Sequence, residues 1–394
     1  MVAIAIPLAS CADEIIRRLA TATGSASIAA LTGQTLLGER AMLAGMRIPG
    51  RVSAGGGCRL FDALDDTIAL NLSRVSDREL LPALFETEAL DISDDGSIAA
   101  LVARGDAASL VMRGRSMGLA ISAEHEIGAP SKPCVQLTPG CVADIRHRSR
   151  PRVVDLSALW AGPLASHLLW LAGAEVIKVE SRKRPDAMRH GDSQFYSLLN
   201  QGKSSVVVDL ADHNDRMTLR ALIATADIVI EASRPRALAQ LGFDAAEIVS
   251  TTAGLVWITI TGHGATDEPA NWVGFGDDCG VAAGLSATLR EITGRTGFVG
   301  DAIGDPLTGL FAADAAWSAW QSRRGGRIGV ALRDVAAYCI ARCRELEPAL
   351  LRDQLLNWST SVGSPFPIVH RRDLGNASEM GEHTRSVLGQ VAAC

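Results

Sequence analysis

The chain has 394 residues, 47% of them apolar and 21% charged, with a net charge of −6. That is ample apolar material for two packed domains. It excludes a basic nucleic-acid-binding stripe, and no apolar run approaches the roughly 20 residues of a membrane span, so neither nucleic acid nor membrane is expected as a partner. The cysteines at 11, 58, 134, 141, 279, 339, 343 and 394 include no CxxC pair. Cys339 and Cys343 stand four apart on an expected helix. No histidine or second pair completes a zinc pattern, so no metal is expected. Scattered thiols in a long chain fit a reducing cytosol. The opening MVAIAIPLASC places LASC after an apolar run, but the run is short and lacks a basic start, so export is not expected.

Residues 1–145 read as one small α+β domain. A helix is expected over Ala12–Ala22, with Ile15, Ile16 and Leu19 on one face. The triplet Gly55–Gly57 marks a loop or a close backbone approach. DDTIALNLSRV, residues 65–75, has the branched, alternating character of a strand. SDRELLPALFE, residues 76–86, opens with a Ser cap and Glu at the fourth place, a capping box. Two more short helices are expected between Gly96 and Leu119. Between Ile127 and Pro151, prolines, glycines and basic residues replace periodicity, as in a linker.

From Val153 onward strands alternate with helices. Strands are expected at Val153–Leu156, Ala174–Glu180, Ser204–Leu210, Ala226–Ala232 and Leu255–Gly262, with helices at 164–172, 216–225 and 245–250. This pattern gives an α/β fold, an open, mostly parallel, Rossmann-like sheet over 146–394. Such sheets bind ligands at the carboxyl ends of their strands. The first turn, Ala161-Gly162-Pro163, lacks the G-x-G-x-x-G fingerprint, so Glu180 at the end of the second strand is weak evidence for NAD. Lys178, Arg182, Lys183, Arg184, Arg234 and Arg236 recur at the same sheet edge. They suit a pyrophosphate and a further phosphate, or are simply solvated.

Phe298–Arg324 carries the sharpest chemical signal. Leu307, Leu310, Phe311 and Ala315 follow helical spacing, with Asp314 a flaw in the stripe. Asp305-Pro306 has the form of an N-cap followed by Pro at the first helical position. The helix dipole there favours an ionised carboxylate, and Gly304 leaves room beside it. A pre-oriented carboxylate with open space can serve as a nucleophile; it can also be only a cap.

Four segments together resemble the class III CoA-transferases, the family of formyl-CoA and carnitine-CoA transferases and α-methylacyl-CoA racemases. They are VVDLSALWAGPLASHLLWLAGAEVIKVE from Val153, the N-x-x-K-S-S-V-V-V-D-L run Asn200–Leu210, ADIVIEASRPRALAQLG from Ala226, and IGDPLTG from Ile303. The terminal MGEHTRSVL, residues 380–388, is similar to the family's GEHT segment. The resemblance implies a large CoA-binding domain, a smaller α+β domain and a homodimer. It implies coenzyme A thioester as substrate rather than a tightly bound cofactor, and Asp305 as the catalytic carboxylate that exchanges CoA between an acyl-CoA and a carboxylic acid acceptor. Ala158, Trp160, Ala161, Lys178, Arg182, Leu210, Arg234 and Arg236 are the implied CoA-site residues.

Three departures stand out. Gln240 replaces an arginine that often helps bind CoA, shifting weight to Arg234 or Arg236. Trp160 replaces a polar residue facing the acyl group, implying a larger or more apolar acyl chain. The small domain comes first rather than late, with Gly55–Gly57 in the position of a possible flap. The racemase alternative needs a His–Asp pair; Gly274–Asp278 holds no histidine, and His263 is the nearest. A silent CoA-binding subunit is the remaining alternative.

Overall fold

The computed structural model describes residues 4–88, 91–126, 134–142, 148–264, 266–370 and 372–392. Ten strands are formed: β1 (Cys58–Asp62), β2 (Thr67–Asn71), β3 (Ala120–Ala123), β4 (Val135–Val142), β5 (Arg152–Asp155), β6 (Glu175–Ser181), β7 (Ser204–Val208), β8 (Ile228–Glu231), β9 (Val256–Thr261) and β10 (Arg324–Ala331). Short runs of Val and Ile make β5, β6 and β8 buried on both faces, as covered parallel strands require. The large sheet runs β4-β10-β9-β8-β5-β6-β7. Every pair from β10 to β7 is parallel, and β4 alone is antiparallel. The five expected strands are β5 to β9.

Both sheet edges are managed. β4 falls inside the stretch expected as linker, of which 127–133 and 143–147 lie outside the described residues. It pairs along β10, and Pro139, which has no N–H to donate, is tolerated because this strand lies at the edge. At the other edge the GEHT segment covers β7. His383 Nδ1 accepts from Ser205 N at 3.3 Å and Thr384 Oγ1 from Val207 N at 3.0 Å, filling positions a further strand would take.

The small antiparallel sheet β1-β2-β3 has its own apolar core, with Ile68, Leu70, Ile98 and Leu110. The first 48 residues pack differently from the block expected at 1–145. Helices Ala9–Thr23 and Gly33–Leu43 place Ile15, Leu19, Leu36 and Leu37 in the core of the large layer, alongside Leu307 and Leu310. The reason lies in helix Gly304–Gln321, which is apolar on nearly every side and needs cover beyond the sheet. Asp314 finds its partner in Arg18 of the first helix, at 2.6 Å. Gly309 lets the same helix approach helix Ala161–Leu171, since a Cβ there would meet Ala161 O at 2.6 Å. The expected Ser76 cap is also revised. The helix begins at Val75, and Asp77 accepts from the Arg74 backbone N–H at 2.9 Å. Among the described residues, no helix is long and apolar enough to cross a membrane.

A buried polar network braces the turn after β5. Lys203 Nζ lies within 3.1 Å of Asp155 Oδ2, Pro163 O, Ser166 Oγ and Asn200 Oδ1. Burial alone would push the Asp155 carboxyl up; Lys203, Lys178 and the Ser157 and Ser166 hydroxyls outweigh it and hold it at about 2. Lys178 Nζ, equally buried, reaches Asp186 at 3.1 Å and the Ser157 carbonyl at 3.0 Å. Removing one partner of such a pair strands the other charge. Lys203→Met is therefore expected to lose about 3–5 kcal/mol of unfolding free energy in urea denaturation.

Candidate functional site

Asp305 is the second residue of helix Gly304–Gln321, not its N-cap. Its carboxylate turns to a different helix, Gly276–Ala282, and Oδ2 accepts the Gly276 backbone N–H at 2.9 Å. Two helix starts thus face one carboxyl group, and both dipoles favour its anion. Only glycine fits at 276, where a Cβ would lie 2.2 Å from Ala302 O and 2.4 Å from Asp305 Oδ2. Ala302, just before the Asp305 helix, holds φ 40°, a strained value for a residue with a Cβ.

Other acids crowd the same ground. Asp277 Oδ1 accepts from Ala302 N at 3.0 Å, and Asp301 Oδ1 pairs with Arg40 Nη1 at 2.8 Å. Burial pushes Asp305 up to about 7; Arg40 and the Gly276 N–H oppose the rise, and Asp278 and Asp301 add to it. Asp277 is pushed to about 7, by burial and then Asp301. The expectation of a fully ionised Asp305 is thereby modified: desolvation outweighs the dipoles, and the group sits at its midpoint near neutral pH.

The Asp305 side chain opens on a cavity of about 300 Å³ whose wall includes Ala158, Leu159, Ala161, Gly162, Phe275 and Arg234. The turn 157–163 forms one side. Leu159 adopts φ 68° and donates its N–H to Asp186, at 3.2 Å to the nearer oxygen. Asp186 is the partner of Lys178, so the buried pair props the cavity wall.

The structure brings Asp305, Ala158, Ala161 and Arg234 to this cavity. It places the other expected residues elsewhere. Trp160 turns into the core, edge-on to Phe195 at 5.0 Å, with the Arg40 guanidinium 5.3 Å from its ring centre. The indole therefore does not line the cavity; its neighbours on either side do. Lys178 is spent on Asp186 and Ser157. Arg182 is exposed past the end of β6, its N–H bonded to Val208 O. Leu210 packs on the apolar cluster of the sheet's other face. Arg236 falls in the first turn of helix Pro235–Gln240.

Arg40, Gly276 and Asp301 carried no local signal. A lone arginine on a helix and a glycine in a loop acquire meaning only when distant elements meet. His263 is fully buried and faces Asp278 at 3.5 Å and Cys279 at 3.9 Å. Its Nδ1 looks at the Arg115 guanidinium, which only donates, so the proton sits on Nε2 and points at Asp278. A metal-binding Nε2 would need the opposite tautomer, so the trio reads as a hydrogen-bonded core. Gly55 approaches Arg40: a Cβ there would lie 3.2 Å from Arg40 Nη2.

The raised pKa of Asp305 has a stability consequence. The folded Asp305 keeps a proton that the unfolded chain, titrating near 4, has already lost. Its contribution to stability therefore falls as pH rises from about 4 to 7 and stays low above. Asp305→Asn is expected to raise Tm by a few degrees at pH 8 and hardly at pH 4.5, read by differential scanning calorimetry.

The model of CoA-transferase family III matches residues 150–343. The succinate–glutarate CoA-transferase of Agrobacterium fabrum is 30% identical over 257 residues, 60% of each chain. The succinyl-CoA–D-citramalate CoA-transferase of Chloroflexus aurantiacus is 34% identical over 184 residues, 44% of this chain and 45% of that protein. The formyl-CoA:oxalate CoA-transferase of Afipia carboxidovorans is 29% identical, covering 59% of this chain and 58% of its own. The chain thus spans about half to three fifths of the length of these relatives. A solved CaiB/BaiF family protein from Brucella suis is 26% identical with a TM-score of 0.42, covering 50% of this chain and 56% of its own.

Proposed function

We propose, since residues 150–343 match the model of CoA-transferase family III, that the chain moves coenzyme A from an acyl-CoA to a free carboxylic acid, with Asp305 as the attacking group. The observation that carries this reading is the Asp305 carboxyl at the cavity wall, its Oδ2 fixed by the Gly276 N–H.

In this reading the Asp305 carboxylate attacks the thioester carbonyl. A mixed anhydride forms and CoA leaves as its thiolate. The thiolate attacks the aspartyl carbonyl, releasing the first acid and leaving an aspartyl-CoA thioester. The acceptor carboxylate attacks that thioester, and the returning thiolate takes the new acyl group and frees Asp305. Each step replaces a slow direct exchange with an intramolecular one. The Gly276 N–H, already on Oδ2, is placed to stabilise the oxyanion at the aspartyl carbon. The turn 157–163 and Arg234 would hold the CoA portion. The relatives named for succinate, glutarate, citramalate and oxalate point to a small acid acceptor. The assembly we propose is a cytosolic homodimer. The free thiols of the seven described cysteines support the cytosolic part.

The racemase alternative gains no support here: among the described residues, no histidine lines the Asp305 cavity, and His263 is occupied by Asp278.

Three outcomes follow. Asp305→Ala is expected to abolish exchange of labelled acid into acyl-CoA while CoA binding persists; wild-type turnover in that variant would refute the assignment. The single-turnover rate of acyl-CoA consumption is expected to rise tenfold per pH unit below about 7 and level off above, since the anion attacks. Arg40→Gln removes the charge that lowers Asp305 most and should move that midpoint upward.

A further inference from the structure

The Asp305 cavity continues outward. A second cavity of about 1010 Å³ lies between the large layer and the helices of the small sheet, and Trp272 lines both. Buried contacts dock the small sheet beside it. Ser122 Oγ donates to Asp278 O at 2.8 Å, and Leu60 and Ala69 share an apolar cluster with Val281 and Phe298. The walls of the outer cavity are thus held at a fixed separation within one chain.

One wall is a single helical face. Ala107, Ala108, Val111, Met112 and Arg115 of helix Ala107–Ser116 line the cavity, at the i, i+1, i+4, i+5, i+8 spacing of one side. Four of these five are apolar, and Leu80, Met117 and Ala123 extend the surface. Met112 is 70% exposed, and methionine side chains adapt to varied apolar shapes.

Trp272 stands at the junction of the two cavities and is pinned there. The Arg115 guanidinium lies 4.1 Å from its ring centre, and the His263 ring meets it edge-on at 5.9 Å. Arg115 is itself held by Glu126 at 2.7 Å and by the Ile121 carbonyl at 3.2 Å. The indole cannot swing aside without breaking that stack, so its bulk sets the width of the passage.

The charges around the outer cavity disfavour an anionic tail. Five carboxylates, Asp65, Asp66, Asp77, Glu126 and Glu268, line it against three guanidinium groups. Arg74 is neutralised by Asp77, and Arg115 by Glu126. Arg234 stands beside the turn that holds CoA in the transferase reading. Glu268 is exposed and has no ion-pair partner among the described residues. A second carboxylate at the far end of an acyl chain would give up water there and meet net negative charge. An apolar tail would instead bury its methylenes against Val111, Met117 and Trp272.

We propose that the outer cavity takes the acyl tail and that Trp272 sets the length of chain admitted to it. The acyl-CoA consumed then carries a medium-length apolar monocarboxylic acid, and acyl groups ending in a second carboxylate are rejected. The proposal rests on the transferase reading for the thioester at Asp305. It separates this chain from the relatives named for succinate, glutarate and oxalate.

The test is exchange of acetyl-, octanoyl-, dodecanoyl- and octanedioyl-CoA, each with its own labelled free acid, in the wild-type protein and three variants. Wild type is expected to use octanoyl-CoA with a kcat/KM about tenfold above that for octanedioyl-CoA. Trp272→Ala is expected to raise dodecanoyl-CoA relative to octanoyl-CoA about tenfold. Met112→Trp, at an exposed position, fills the pocket and is expected to lower octanoyl-CoA relative to acetyl-CoA about tenfold. Glu268→Lys is expected to raise octanedioyl-CoA relative to octanoyl-CoA about threefold. Equal or faster use of octanedioyl-CoA by wild type, or a Met112→Trp loss that is the same for acetyl- and octanoyl-CoA, would overturn the tail pocket. A folded Trp272→Ala protein with an unaltered chain-length profile, or with a uniform loss at every length, would overturn the role of Trp272. If Trp272→Ala does not fold, Met112→Trp decides the pocket. No exchange of any acyl-CoA by wild type would overturn the transferase reading, and the pocket with it.

Discussion

Asp305 accepts a hydrogen bond from the first N–H of a helix other than its own. That one contact joins the centre of the large layer to the helix on which the small sheet rests. It also fixes the carboxyl group in a poorly solvated place, where two helix starts and Arg40 favour the anion while burial and neighbouring acids oppose it. A nucleophile needs both sides of this balance. Fully solvated, the carboxylate would be ionised but weakly reactive. Buried without the N–H and the guanidinium, it would stay protonated. A group poised near neutrality lies between these limits.

The same balance explains why so much polar structure is buried around the site. Asp301 lies close enough to raise both Asp277 and Asp305, and Arg40 is the common counterion of all three. Behind the cavity wall, the pairs Lys203–Asp155 and Lys178–Asp186 hold the turn that carries Leu159 in its left-handed conformation. Buried pairs of this kind contribute little net stability compared with apolar packing. Their value here is placement: they fix backbone carbonyls and N–H groups that no apolar residue could fix.

Five of the sheet's seven strands, β5 to β9, were legible because they are short runs of branched residues with helices between them; β4 and β10 were not expected. Asp305 was legible as a special carboxylate because Gly304 and Pro306 bracket it. What it bonds to was not, since Gly276 lies 29 residues upstream in a loop-to-helix junction with no period to read. Trp160 misled for a related reason. Its place in the chain is one residue from the cavity, but a turn with Leu159 at positive φ sends the indole inward. The helices of the first 48 residues were assigned by neighbourhood in the chain. Their true partner, the all-round apolar helix 304–321, is about 300 residues away. Edge strand β4 was hidden by Pro139, which ordinarily argues against a strand and is harmless only at an edge.

The central claim is that the Asp305 carboxylate forms a covalent bond to substrate. Intact-protein mass spectrometry after mixing with a panel of short acyl-CoAs, followed by peptide mapping, addresses it directly. The account expects a mass increase matching an acyl or CoA adduct, on the peptide containing Asp305, that hydroxylamine removes. An adduct placed on any other peptide while exchange proceeds, or turnover with no adduct under quench conditions that preserve acyl anhydrides and thioesters, would contradict it.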